Sequence, residues 1–240
     1  MLDHVFTDAI GALRDALESA LLERQAFEER FSADVLLGDL TWATSYSLPG
    51  EGLPPRVQAD LTLSWPTWAQ TAWRTWYAGE MFDEPPRIEI EVVVRVQRLV
   101  ESPDLLGLLA KLPVRSPALG EHHLERSAPT VEAFYPMPRS GSGGGSGGGP
   151  DGAPGRGTAT GGAGHDGGDQ SLIIGPPEYS VEVSYEGVYE FDEATLADGS
   201  LLDKHFASMG GWISSTLVAV GDLTWDFLPP VGDLPFDHDD

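Results

Sequence analysis

Apolar residues recur every three or four positions at the start of the chain, where Phe6, Ile10, Leu13, Leu17, Ala20 and Phe27 form one stripe broken only by Arg24. That period predicts a helix over 3–31, roughly 40 Å long at 1.5 Å per residue. Its other faces carry Asp15, Glu18, Glu23, Glu28 and Glu29 with Arg14 and Arg30. Two uses of the stripe compete. It can lie across a sheet, or it can act as an a/d seam for a second copy or another chain's helix, since the repeat covers about four heptads.

The period then changes to two. Leu36, Leu40, Trp42, Thr44, Tyr46 and Leu48 share one face, and Val57, Ala59, Leu61, Leu63 and Trp65 repeat the pattern after the turn-rich stretch 49–55. This predicts an antiparallel pair. Pro66 suits the first position of a short helix, 66–78, bearing Trp68, Ala72, Trp73 and Trp76. The clearest strand is 87–99, where Ile88, Ile90, Val92, Val94 and Val96 alternate with Arg87, Glu89, Glu91, Arg95 and Gln97. Ser102 before Pro103 predicts a helix through Leu112, 113–129 reads as irregular, and a short strand follows at 130–135.

Further on, Tyr179, Val181, Val183, Tyr185, Tyr189 and Phe191 mark another strand, whose opposite side bears Glu178, Glu182, Glu186 and Glu190. Ser200 with Asp203 resembles a capping box for a helix 201–209 that Gly210-Gly211 would end. A strand over 212–228 is expected next, with Ile213, Leu217, Ala219, Leu223, Trp225 and Phe227 on one face, before a frayed tail at 237–240.

Between the two patterned regions, 139–170 is dominated by Gly with Ser, Thr, Asp and Pro, and holds no aromatic or large aliphatic residue. Such a stretch buries too little apolar surface to offset its backbone entropy, so a disordered linker is expected there. The fold class that follows is α+β: a mostly antiparallel sheet packed by a long N-terminal helix and short helices, with a disordered Gly-rich insertion. Residues 171–240 are too few for a good core alone, and we expect them to complete the sheet begun by 1–138. Glycine patterns inside 139–170 match a hydrolase nucleophile elbow and a dinucleotide fingerprint, but neither lies between a strand and a helix, which both mechanisms need. The pentapeptide Gly-Asp-Leu-Thr-Trp occurs at 38–42 and again at 221–225, both on expected strands.

Charge changes this picture. The 240 residues carry a formal charge of −24. Of this, 171–240 contributes −13 from 14 acids against one base. An acidic pole repels nucleic-acid phosphates and anionic membranes and favours basic partners. The chain has two Lys and no Asn, a composition that G/C-rich coding or a high-salt habitat would also produce. It has no Cys, which removes disulfides, thiolate metal sites and Cys nucleophiles. No run approaches a membrane span and no signal core opens the chain, so a cytoplasmic location is expected.

Candidate chemistry is sparse. Glu121, His122, His123 and Glu125 form the densest titratable group, but adjacent imidazoles diverge and the spacing fits neither HExxH nor its inverse. No catalytic residue, metal ligand or cofactor is assigned. The binding candidates are Trp68, Trp73 and Trp76, because Trp anchors dominate interface hot spots, and the row Glu178, Glu182, Glu186 and Glu190, whose members stand roughly 13 Å apart on an extended chain. Core packing for the tryptophans, and a solvated face paired with Arg87 and Arg95 for the glutamates, are the plainer readings. Together these residues favour a non-enzymatic interaction or assembly protein with a protein partner, basic in character, and self-association through helix 3–31. The alternatives are an acidic mimic that occupies a nucleic-acid-binding protein, and a hydrolase with a dispersed site around His122, His123 and Glu125.

Overall fold

A helix that must bury one stripe needs a flat apolar surface to lie on, and this chain supplies one. In the computed structural model, which describes residues 2–24, 26–36, 38–49, 56–81, 84–135, 177–192, 194 and 200–229, α1 (Leu2–Leu21) buries Phe6, Ala9, Leu13, Leu17 and Leu21. Each such side chain removed from water is worth about 1.5–3 kcal/mol. The helix stops well short of 31. A 3-10 turn at Leu22–Arg24 leads into β1 (Phe27–Leu36), which pairs antiparallel with β2 (Asp39–Ser47). The register shifts between Glu28 and Arg30, a bulge that leaves Glu29 without a Cα partner. One extra residue in a strand disturbs its alternation. That is why the charged triplet 28–30 reads as a helix surface.

β3 (Val57–Trp65) pairs with β2, and β4 (Arg87–Leu99) pairs with β3, with α2 (Thr67–Tyr77) between them in sequence. After α3 (Leu105–Lys111), short strands β5 (Glu125–Arg126) and β6 (Thr130–Phe134) both pair with β7 (Glu178–Glu190). The helix α3 is capped by Asp104, which accepts from Leu106 N at 3.0 Å, and not by Ser102. β7 lies between β4 and β5, giving one antiparallel sheet in the order β1-β2-β3-β4-β7-β5, with β6 also on β7. The expected linker 139–170 and tail 237–240 lie outside the described residues.

The last helix, α4, corrects a second expectation. It runs unbroken from Ser200 to Gly221 through Gly210-Gly211, where a stop and a strand over 212–228 were expected. A Cβ on Gly210 would stand 2.8 Å from both Ala16 Cβ and Leu13 O. The glycine lets α1 and α4 cross closely and does not terminate the helix. Leu202, Phe206, Met209, Ile213, Leu217 and Val220 form its buried stripe. Only the end of the expected strand is extended: Phe227 bridges to Leu99, and Leu228 N donates to Arg98 O at 2.8 Å. The repeated pentapeptide therefore takes two structures. Its first copy enters β2, and its second closes α4, where Asp222 holds Arg24 with two bonds of 3.1 Å.

The core lies between one sheet face and the α1/α4 layer. Val57, Ala59, Leu61, Leu63 and Trp65 of β3 point into it beside Ile88, Ile90, Val92, Val94 and Val96 of β4. Trp65 meets Phe6 of α1 at 5.9 Å, and Tyr185 of β7 meets Trp212 of α4 at 4.9 Å.

Candidate functional site: the polar face of the sheet

Because side chains alternate along a strand, the partners of the core residues all emerge on the opposite face. Gln58, Asp60, Thr62 and Ser64 of β3 stand beside Arg95, Val93, Glu91 and Glu89 of β4, which in turn face Glu182, Ser184, Glu186 and Val188 of β7. Glu91 is directly opposite Glu186, and Glu186 is directly opposite Glu125 of β5. Three carboxylates thus follow one another across adjacent strands, each step one strand spacing, roughly 4.8 Å. Glu89 stands two residues along β4 on the same side. Like charges directly opposite on neighbouring strands destabilise a sheet. Glu89, Glu91 and Glu186 are all exposed, and none has a hydrogen-bond or ion-pair partner among the described residues. They border a shallow depression of about 600 Å³ with Thr62, Ser64 and Val188.

Some of the other charged side chains on this face have partners. Arg95 holds Glu182 at 2.5 Å and Asp60 at 3.3 Å, so the expected cross-strand pairing exists at that position. Arg87 is in register with Glu190, but its guanidinium lies 4.7 Å above the Trp68 ring, and Glu190 instead holds His122 Nε2 at 3.1 Å. Of the glutamate row read from sequence, Glu182 and Glu190 are therefore engaged. Glu186 and Glu178 have no side-chain partner among the described residues.

A small hairpin forms the rim. Arg115 bridges to Glu125 and Leu119 to His122, with Gly120 at φ 65° in the turn. Leu119 and Leu124 anchor it, and Leu124 N donates to Ser116 Oγ at 2.8 Å. The hairpin lies so close to β7 that a Cβ on Gly187 would come within 2.8 Å of His123 O. His123 Nδ1 donates to Ser116 O at 3.0 Å, and Glu125 pairs with Arg115 at 3.0 Å. Each member of the suspected hydrolytic trio is thus tied to a different partner. No group of three or more His, Asp or Glu with metal-holding geometry occurs among the described residues.

The three candidate tryptophans separate. Trp73 is buried, 6.0 Å from Trp65 and 4.8 Å from Phe191, so it belongs to the core. Trp76 packs half-buried behind it at 5.3 Å. Trp68 alone is exposed, under Arg87. Of the stripe that could have served as a seam, Phe6, Leu13 and Leu17 are buried inside the chain, Ile10 is half-buried and Ala20 is exposed. Two groups near these elements have displaced titrations. Asp39 accepts from the Thr67 hydroxyl at 2.7 Å and the Thr67 amide at 2.6 Å at the start of α2, and these bonds hold its carboxyl below the usual range. Tyr185, which donates to Pro113 O at 2.8 Å, has its phenol pushed up to about 12 by burial, against the opposing effect of nearby Arg126.

Sequence reasoning had Glu186 but not its neighbours as a set. The alternation of β4 does place Glu89 and Glu91 away from the apolar face, yet which β7 residue stands opposite depends on a register that no local pattern encodes. No protein-family model, curated protein or solved structure matches this chain.

Proposed function

We propose that this chain is a non-enzymatic binding protein that docks a basic segment of a protein partner on the polar face of its sheet. The observation that carries the reading is the row Glu91, Glu186 and Glu125, with Glu89 beside it. Opposed carboxylates cost the isolated fold stability, and cationic side chains laid over them would relieve that cost. The overall charge of −24 would draw such a partner in from a distance. The helical and Trp contacts entertained from sequence carry less weight, since α1 and Trp73 face the interior.

The test is fluorescence anisotropy with a labelled octa-lysine peptide at low and high salt. Binding should weaken steeply with salt, and the variant Glu91→Lys/Glu186→Lys should lose at least tenfold in affinity. Glu186→Lys alone should at the same time stabilise the fold by about 0.5 kcal/mol, because it replaces the cross-strand repulsion with Glu91 by an attraction. No binding at low salt, or binding indifferent to the charge reversal, would remove the proposal.

A further inference from the structure

All five residues of strand β6, Thr130–Phe134, are exposed. It pairs with β7 on one side, and no strand among the described residues pairs with its other side. Edge strands in native proteins are normally blunted by Lys, by an internal Pro or by a covering helix, because their free N–H and C=O groups invite another strand. β6 has neither Lys nor Pro and a single charge, Glu132, and it presents Val131 and Phe134 to solvent at 36% and 53% exposure.

The register decides what an added strand would meet. Thr130, Glu132 and Phe134 are in register with Glu182, Ser180 and Glu178 and so lie on the polar face, whereas Val131 and Ala133 lie on the other side beside Val181 and Tyr179. An incoming strand would thus find a carboxylate, Glu132, between Thr130 and Phe134 on one face, and Val131 and Ala133 on the other. A second copy of this chain fits poorly. Antiparallel pairing of β6 with itself would centre on Glu132, bringing that residue beside its own copy between two bodies of charge −24.

We propose that the partner segment binds by adding a strand to the outer edge of β6, and that it alternates basic with apolar residues, with a basic side chain beside Glu132. This rests on the basic character of the partner inferred above and adds a contact at the sheet edge, apart from Glu91 and Glu186: main-chain pairing supplies affinity and the alternating side chains supply selection. The probe is the labelled peptide Lys-Val-Lys-Val-Lys-Val-Lys, compared with the same peptide N-methylated at every residue, which keeps the charge and side chains but lacks backbone donors. The unmethylated peptide should bind at least tenfold more tightly than the methylated one, its binding should slow hydrogen exchange of β6 amides, and Glu132→Lys should weaken it at least threefold. Equal binding of the two peptides, or exchange protection confined to β4 and β7, overturns strand addition while leaving the basic-partner reading intact. Failure of both this peptide and octa-lysine defeats both. A dimer in sedimentation whose formation slows hydrogen exchange of the β6 amides would assign the edge to a second copy and overturn the proposal as well.

Discussion

Two adjacent glycines in α4 offer a sharp comparison, because the same substitution meets opposite surroundings. In a helix interior, Gly→Ala gains about 0.5–1 kcal/mol from backbone entropy. At Gly211 a new Cβ has no heavy atom within 4 Å, so that gain should appear in full, raising Tm by about 2–4 °C per kcal/mol in a domain of this size. At Gly210 the Cβ would lie 2.8 Å from Ala16 Cβ and from Leu13 O. The carbonyl belongs to the backbone of α1 and cannot rotate aside, so α1 must move away from α4. Overpacking of this kind costs about 1–3 kcal/mol and exceeds the propensity gain. Gly210→Ala should therefore be net destabilising by about 1–2 kcal/mol, and Gly211→Ala stabilising by about 0.5–1 kcal/mol. Urea unfolding followed by circular dichroism gives both numbers. If Gly210→Ala were as stable as Gly211→Ala, the close crossing of α1 and α4 would be wrong. If Gly211→Ala were destabilising, the continuous helix itself would be wrong.

Other expectations concern titration and the ion pairs of the polar face. The Asp39 carboxyl titrates lower in the folded chain than in the unfolded one, so its contribution is present above about pH 4 and is lost as pH falls through the native value; the stability difference between wild type and Asp39→Asn should shrink to nothing across that range in urea midpoints measured from pH 6 downward. Tyr185 behaves oppositely: its contribution is complete below about pH 10 and disappears as pH rises toward 12, so phenolate absorbance should lose a late-titrating component in Tyr185→Phe. That variant also leaves Pro113 O without its donor and should cost about 1 kcal/mol at neutral pH. Replacing Arg95 by Met should cost about 1 kcal/mol, and less in high salt, since Asp60 and Glu182 lose their shared cation.

Legibility followed the clarity of each local period. β3, α2 and β4 were readable to within about a residue because their alternation or helical spacing is uninterrupted and their ends carry Pro66 and Pro85-Pro86. Two of the boundaries that failed are places where one residue serves a distant contact. Glu29 is extruded as a bulge, so 27–36 loses its period of two. Gly210 looks like a helix stop unless Ala16 and Leu13 are known to be its neighbours. The candidate binding face was half legible: Glu186 was named, while Glu91 and Glu125 became its companions only through register. Trp73 was named among the binding candidates, and its spacing could not show that Phe191 would cover it.

By itself the sequence determined that this is an α+β chain with an antiparallel sheet, no thiol chemistry and a large negative charge, because composition and period are local quantities. Tertiary structure alone decided that α1 and α4 share a glycine-mediated crossing, that β7 inserts between β4 and β5, and that Glu91, Glu186 and Glu125 line up across three strands. Residues nearly 100 positions apart acquire a common electrostatic field only when backbone pairing brings them within a strand spacing, and no period along the chain records that distance.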